Sequence, residues 1–230
     1  MNPARRALLL GAAACLATRG RAQEPRPPAR PQTEAPPLRI LGFGDSLMAG
    51  FGLPPRDHFP ARLSAWLRAA GAPPFRFRIA AISGDTSYGG RVRIGPALRR
   101  RADAAMVEIG ANDMLLGWSA RKAEANLDAI LTRAGRGGRP VLLMGLAAVG
   151  GSEDFRAGWD AIWPRLAERH GCLLVPDLYA GIRAEDGPAR AALLQADGLH
   201  ANAAGTARMA ETAGPQALAL IRAAAAFRDG

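Results

Sequence analysis

Five short apolar runs, separated by longer stretches with helical periodicity, constrain the fold of this 230-residue chain more than any other feature. The apolar runs lie at 38–43, 75–82, 104–109, 141–146 and 172–175. The amphipathic stretches lie at about 58–70, 90–101, 120–135 and 155–169, with a last one at about 202–227. Strands that are apolar throughout, each followed by a helix, are typical of a parallel sheet covered on both faces. The sequence therefore predicts an α/β fold, a three-layer α/β/α domain with a five-stranded parallel sheet.

The amino-terminal segment has the composition of a targeting sequence. Arg5 and Arg6 precede an apolar stretch at 7–17, and small residues at positions 20 and 22 suit a cleavage site. The apolar stretch is shorter than the ~20 residues that a membrane-spanning helix needs. Residues 1–22 are therefore predicted to be a signal peptide that exports the protein to the periplasm by the ordinary or the twin-arginine route. Cys15 leaves open the alternative of a lipid anchor.

A proline-rich segment separates this signal from the rest of the chain. Residues 23–37 contain six prolines and show no apolar periodicity, which predicts an extended linker. Residues 38–230 show neither an internal repeat nor a second composition regime, so they are predicted to form one domain.

Charge, cysteine and histidine content limit the partners, disulfides and metal sites that the chain can have. The chain has 30 basic and 20 acidic residues and a net charge of +10. Its arginines are interleaved with acids and form no basic–aromatic cluster, so we expect no nucleic-acid partner. The sequence shows no sign of an obligate protein partner, and its positive charge allows transient contact with an anionic cell envelope. Removal of 1–22 would leave Cys172 as the remaining cysteine, with no intramolecular disulfide. The three histidines show no spacing that suggests a metal site.

Polar turns follow the first three predicted strands, and a fourth precedes the last predicted helix. They are 44–47 (Gly-Asp-Ser-Leu), 83–86 (Ser-Gly-Asp-Thr), 110–113 (Gly-Ala-Asn-Asp) and 197–200 (Asp-Gly-Leu-His). In parallel α/β sheets, ligands bind beyond the carboxyl ends of the strands. We therefore expect these four turns to meet at one edge of the sheet.

Three residues of these turns supply the groups that ester hydrolysis needs. Ser46 offers an oxygen nucleophile, and His200 a base that can take its proton and return it to the leaving alcohol. Asp197 offers a carboxylate that fixes the histidine tautomer and stabilises the imidazolium. The separation of three residues, with Gly198 in the turn, lets the carboxylate reach one ring nitrogen while the other faces the serine.

Three groups could donate hydrogen bonds to the negatively charged oxygen of a tetrahedral intermediate. They are the backbone N–H groups of Ser46 and Gly84 and the side-chain amide of Asn112. Glycine permits the unusual dihedral angles that aim an amide at a ligand, and asparagine supplies a neutral donor. The sequence thus predicts an oxyanion hole with three donors.

Each of these residues also has an ordinary structural interpretation. Ser46 could cap the helix that follows it, as could Asp45. Asn112 and Gly84 could be turn residues, and His200 a surface histidine. The catalytic interpretation is favoured because four separate turns each offer a group that the mechanism requires.

The same turns resemble the four sequence blocks of the SGNH (GDSL) hydrolase superfamily. The likeness runs from about residue 38 to 221 and is greatest to the bacterial arylesterase, thioesterase I and lysophospholipase L1 branch. The stretches that carry it are 44–54, 59–63, 82–87, 108–113 and 195–200.

The resemblance implies a flavodoxin-like sheet, no metal or organic cofactor, and hydrolysis of esters or thioesters in the periplasm. It also assigns Ser46, Gly84, Asn112 and His200 as the four named residues of the superfamily, with Asp197 completing the triad.

The chain departs from this branch around the expected acyl pocket. Met114 stands where glycine is usual, Ala201 follows His200 in place of proline, and the loop at 147–152 lacks an expected proline-bearing segment. We predict that Asp113, Met114 and Leu115 line the substrate pocket, the alternative being that Met114 and Leu115 are core residues at a helix start.

The leading functional hypothesis is a serine esterase acting on short acyl or aryl esters, with thioesters or lysophospholipids as further substrates. The first alternative keeps the same residues but acts on O-acetylated carbohydrate of the envelope or wall. A second is a non-catalytic binding protein, which is disfavoured because the serine, histidine and asparagine are all present. An α/β-hydrolase is disfavoured because no Gly-x-Ser-x-Gly elbow surrounds Ser46.

Overall fold

The computed structural model of the chain describes residues 36–229. The predicted signal peptide and Cys15, and all of the predicted linker before Pro36, lie outside the described residues. Within residues 36–229, no helix combines the length and the apolar character that a membrane crossing requires.

Five parallel strands form one sheet in the order β2-β1-β3-β4-β5. They are β1 (Leu38–Gly44), β2 (Phe75–Ala81), β3 (Ala104–Glu108), β4 (Val141–Met144) and β5 (Leu173–Val175). This is the strand order of flavodoxin-like folds. The predicted fold class is therefore confirmed, and each apolar run of the sequence corresponds to one strand.

Ten helices and one 3-10 turn (Pro55–Asp57) accompany the sheet in the described part of the chain. The longer helices are α2 (Phe59–Ala69), α3 (Ser87–Ala97), α5 (Ala120–Ala134), α6 (Glu153–Asp160), α7 (Ile162–His170) and α10 (Ala203–Asp229). The short ones are α1 (Ser46–Ala49), α4 (Ala111–Leu115), α8 (Ala180–Arg183) and α9 (Gly187–Ala191). All four short helices lie at or near the carboxyl ends of strands or in the segment that leads to 197–200.

Both faces of the sheet are buried because alternate strand residues point to opposite sides. On one face, Ile40, Met106 and Leu142 pack in the same cluster as residues of α2 and α10. On the other, the neighbouring residues along the strands pack with α3, α5, α6 and α7. This arrangement gives the three layers and leaves the carboxyl ends of the strands open for a site.

Two helices differ from the sequence prediction. The stretch at 155–169 is not one helix but two, because Pro164 has no N–H to donate to the carbonyl of Asp160 and its ring crowds that turn. Helix α3 begins at Ser87, before the predicted start, because the Thr86 hydroxyl accepts a hydrogen bond from the Gly89 N–H and caps it.

Candidate active site

Ser46 lies at the first position of α1, directly after β1. The N-cap is Asp45, whose Oδ1 accepts a hydrogen bond of 3.3 Å from the Leu47 N–H. The Ser46 N–H, at the start of the helix, has no partner within the helix. Both the hydroxyl and the amide of Ser46 are thereby available at the carboxyl edge of the sheet.

A chain of hydrogen bonds joins Ser46, His200 and Asp197. The distance between His200 Nε2 and Ser46 Oγ is 2.9 Å, and that between His200 Nδ1 and Asp197 Oδ2 is 2.6 Å. The second carboxylate oxygen of Asp197 accepts the N–H groups of Leu199 and His200 at 2.9 and 3.0 Å. The structure brings together the three residues that the sequence singled out, in the arrangement that nucleophilic catalysis requires.

Electrostatics keep Asp197 ionised. The hydrogen bond from His200 and the two backbone donors lower the pKa of this carboxyl to about 2. An ionised carboxylate at Oδ2 holds the proton of a neutral His200 on Nδ1. The lone pair of Nε2 then faces the Ser46 hydroxyl, which is the tautomer that a general base needs.

Tyr179, which sequence analysis did not single out, holds the histidine turn in place. Its hydroxyl donates to the Leu199 carbonyl at 3.2 Å and accepts the Ala201 N–H at 3.0 Å. Tyr179 follows β5, so its position at the carboxyl end of a strand was the sequence signal that could have identified it.

Gln195 and Phe51 complete the support of His200. Gln195 Nε2 donates to the carbonyls of Phe51 and Ala201, both at 2.9 Å. The Phe51 ring lies against the imidazole, with ring centroids 4.6 Å apart and planes tilted by 40°. Gln195 thus links the loop after α1, which carries Phe51, to the turn that carries the base.

The three predicted oxyanion donors stand at neighbouring strand ends. Gly84 is exposed in the turn after β2 at φ +83°, a conformation that favours glycine. Asn112 lies in α4 after β3, and its Nδ2 donates to the Asp85 carbonyl at 2.9 Å. This bond uses one amide hydrogen and leaves the other for a ligand. Asp85 is itself held by Arg93, whose Nε lies 2.8 Å from Oδ2.

Two buried carboxyl groups lie behind the nucleophile. Glu108, at the end of β3, is opposite Gly44 in the sheet, and Asp45 follows Gly44. Both side chains are fully buried, and both oxygens of Glu108 and one of Asp45 have no hydrogen-bond partner among the described residues. Burial raises the pKa of Asp45 to about 7 and that of Glu108 well above its ordinary value, and the charge of Asp45 raises the pKa of Glu108 further. Within residues 36–229, no group of three or more His, Cys, Asp or Glu side chains could hold a metal ion.

A cavity of about 460 Å³ opens beside Ser46, Asn112 and His200. Most of its lining is apolar and includes Leu47, Met114, Leu115, Leu146, Val149 and Ile182. The structure therefore places Met114 and Leu115 at the cavity, where the sequence predicted a substrate pocket.

Asp113 does not line this cavity, so that part of the pocket prediction was wrong. Its carboxylate is buried and accepts the N–H of Ser87 at 2.7 Å and the Ser87 hydroxyl. Asn126 donates to the same hydroxyl at 3.0 Å. Asp113 points inward because α4 turns its second and fourth residues to the cavity and its third to the start of α3. It joins α3, α4 and α5 instead of contacting substrate.

The parallel five-stranded fold and the hydrogen-bonded Ser46, His200 and Asp197 at its carboxyl edge define a protein of the serine-hydrolase class. The sequence profile of the GDSL-like lipase/acylhydrolase family matches residues 43–208. The chain belongs to this family.

Relatives with similar sequences and structures are esterases and thioesterases. Esterase TesA of Pseudomonas aeruginosa is 32% identical over 179 residues, which cover 76% of this chain and 86% of the relative. Thioesterase 1/protease 1/lysophospholipase L1 of Escherichia coli K12 is 29% identical over 166 residues, covering 71% and 75%. The crystal structure of AlinE4, an SGNH-hydrolase family esterase, aligns with a TM-score of 0.64 at 35% identity, covering 79% of this chain and 95% of AlinE4.

Proposed function

We propose that this protein is a carboxylic ester hydrolase in which Ser46 is the nucleophile, His200 the general acid and base, and Asp197 the group that orients His200. The observation that carries the proposal is the hydrogen-bond chain from Asp197 through His200 to Ser46 Oγ at the mouth of an apolar cavity. Membership of the GDSL-like lipase/acylhydrolase family supports it.

The reaction proceeds through an acyl-enzyme. His200 Nε2 accepts the Ser46 hydroxyl proton as Oγ attacks the ester carbonyl carbon, and the carbonyl oxygen becomes negatively charged. The tetrahedral intermediate collapses, and His200 donates its proton to the departing alcohol. A water molecule, deprotonated by His200, then attacks the acyl carbon and releases the acid and Ser46.

The negative charge of the intermediate is met by donors already fixed in place. These are the N–H of Ser46, the N–H of Gly84 and the free amide hydrogen of Asn112. One donor of this kind typically contributes about 3 kcal/mol to transition-state stabilisation. The Asp85 carbonyl and Arg93 hold Asn112 before substrate binds, so little reorganisation is needed.

The cavity supports the choice of an acyl or aryl ester over an O-acetylated carbohydrate. Its lining is largely apolar and includes leucine, methionine, valine and isoleucine side chains, which suit a hydrocarbon group better than sugar hydroxyls. We propose short acyl or aryl esters as substrates, with thioesters and lysophospholipids as further candidates. The name of the Escherichia coli relative supports thioesters and lysophospholipids as candidates.

We also propose that the protein is exported, on the sequence of residues 1–22 alone. The proposal is checked by the amino-terminal sequence of the mature protein, which is expected to begin at Gln23.

Replacement of Ser46 tests the catalytic proposal. Ser46→Ala is expected to lower kcat for a p-nitrophenyl ester by at least about a thousandfold and to abolish labelling by a fluorophosphonate probe. Ser64→Ala, a serine on α2, is the matched control and is expected to keep both. If Ser46→Ala hydrolyses esters at the rate of the wild type, Ser46 is not the nucleophile.

A further inference from the structure

Two arginines interrupt the apolar lining of the active-site cavity. Arg183, at the end of α8, and Arg190, in α9, both line the cavity that contains Ser46 and His200. A guanidinium in an apolar wall is costly unless its charge is balanced, so the partners of each decide what it can do.

The charge of Arg183 is balanced within the protein. Two of its nitrogens donate to the two carboxylate oxygens of Asp177, with Nε 2.7 Å from Oδ2. Asp177 in turn accepts the N–H groups of Ala147 and Tyr179 at 3.3 and 3.0 Å. Arg183 therefore connects α8 to the loops after β4 and β5, and its charge is neutralised by Asp177.

Arg190 is held in position but is poorly neutralised. Its Nε donates to the Glu185 carbonyl at 2.8 Å and its Nη2 to the Arg183 carbonyl at 3.3 Å. Its carboxylate partner is Asp186, 3.2 Å from Nη2, whose side chain is 100% exposed against 43% for that of Arg190. Such a pair is screened by water and contributes little. Among residues 36–229, Nη1 of Arg190 has no hydrogen-bond partner.

The acyl part of a substrate is the part that this cavity must hold longest. It is bonded to Ser46 Oγ from the first step to the last, whereas the alcohol leaves after the first. An acyl chain bonded to Ser46 enters the cavity whose lining includes Met114, Leu115 and Arg190, so a charged group at its free end can meet the Arg190 guanidinium.

We infer that Arg190 makes the enzyme prefer acyl groups that carry a carboxylate at their free end, as in half-esters of short dicarboxylic acids. This inference rests on the proposed ester hydrolysis. A planar guanidinium with a free nitrogen matches a carboxylate, and a charge-assisted hydrogen bond is stronger in an apolar cavity than in water. Free carboxylic acids of this kind are ionised at pH 7.

The test compares matched charged and neutral esters. The mono-p-nitrophenyl ester of glutaric acid and p-nitrophenyl pentanoate have the same leaving group and the same chain length, and differ in the terminal carboxylate. We expect the wild type to have the higher kcat/KM for the charged ester. Arg190→Gln is expected to lower the charged-to-neutral ratio of kcat/KM about fivefold, mainly through a higher KM for the charged ester.

Two further variants separate charge recognition from structural damage. Arg190→Lys keeps the charge and is expected to retain part of the preference. Arg208→Gln removes an equally exposed arginine on α10 that does not line the cavity, and its ratio is expected to equal that of the wild type. Raising the NaCl concentration to about 0.5 M is expected to reduce the ratio of the wild type towards that of Arg190→Gln.

The inference would be overturned if Arg190→Gln had the same charged-to-neutral ratio of kcat/KM as the wild type. Equal losses of kcat/KM for the two esters would give that result. A preference for a carboxylate on the alcohol part, tested with phenyl acetate and its 4-carboxylate, would show that the acyl assignment is wrong. If hydrolysis depends on Ser46 but the charged and neutral esters have equal kcat/KM, this inference alone is rejected. Hydrolysis that survives Ser46→Ala would reject the proposed function instead.

Discussion

Glu108 and Asp45 place two carboxyl groups in the protein interior directly behind the nucleophile. Neither side chain is exposed, and no arginine or lysine of residues 36–229 forms a salt bridge with either of them. Desolvation is the largest cause of the raised pKa of each, and the charge of Asp45 raises the pKa of Glu108 further. The folded protein therefore favours a protonated Glu108, whereas the unfolded chain ionises it at ordinary acidic pH.

This difference predicts how stability depends on pH. Above the pKa of a glutamate in the unfolded chain, about 4.3, the unfolded state gains from ionisation while the folded state does not. The free energy of unfolding of the wild type should therefore fall as pH rises from about 4.3 towards the raised pKa of Glu108, by about 1.4 kcal/mol per unit of pKa difference. Glu108→Gln stays neutral, so its stability relative to the wild type should increase over the same range.

Urea unfolding at a series of pH values measures this effect. Glu168→Gln, an exposed glutamate on α7, is the control and should run parallel to the wild type. If the free energy of unfolding depends on pH in the same way for Glu108→Gln and the wild type, Glu108 is ionised in the folded protein.

The role of a single residue was predictable from sequence where its chemistry is specific. It was ambiguous where two neighbouring residues could play the same role. From sequence, Ser46 and Asp45 could each cap the helix, and the structure gives that task to Asp45. Asn112 and Asp113 are adjacent, yet α4 turns one to the cavity and the other inward. A direction that depends on one short helix is not encoded in composition or periodicity, which is why Asp113 was misplaced.

At the scale of elements, strands were easier to predict than helix ends. A buried strand is marked by its own apolar residues, whereas a helix end depends on single caps and breaks. Pro164 divides α6 from α7, and Thr86 starts α3 early. The short helices α8 and α9 have no apolar periodicity to reveal them, so the wall that carries Arg190 was not foreseen.

The junction of α3, α4 and α5 depends on Asp113. Asp113→Ala would leave the buried Ser87 N–H without its acceptor, which typically costs about 2 kcal/mol. Because Asn112 is the preceding residue of α4, the same change should also lower kcat for a p-nitrophenyl ester. Urea unfolding and steady-state kinetics on one preparation measure both.

Glu211→Ala on α10 is the control, since this exposed carboxylate pairs, in the part of the chain that the structure describes, with the surface side chain of Arg208 at 3.6 Å. It should change stability by less than about 1 kcal/mol. An Asp113→Ala variant as stable as the wild type would mean that water replaces the lost acceptor and that the junction does not depend on this side chain.

At the scale of the whole molecule, the sheet was predictable because alternate residues of its central strands face two different cores. In β1, Leu38 and Ile40 belong to the cluster beneath α2 and α10, and Leu41 and Phe43 to the cluster beneath α3 and α5. A strand buried on both sides needs apolar residues throughout, so it appears in the sequence as a continuous run. The site was predictable to the same degree because the fold brings strand ends together.

The folded domain begins at β1. β1 pairs with both β2 and β3, and Leu38 and Ile40 are fully buried, so the sheet needs the chain from Leu38 onwards. A protein of residues 36–230 should therefore have the Tm of residues 23–230 to within about 2 °C.

A protein that starts instead at Leu41 lacks Leu38, Ile40 and the Arg39–Asp103 ion pair. Each buried aliphatic side chain contributes roughly 1.5–3 kcal/mol, so this shorter protein should be several kcal/mol less stable or fail to fold. Differential scanning calorimetry of the three proteins measures these differences in Tm. A large loss of Tm on removal of residues 23–35 alone would show that the proline-rich segment packs on the domain and is not a linker.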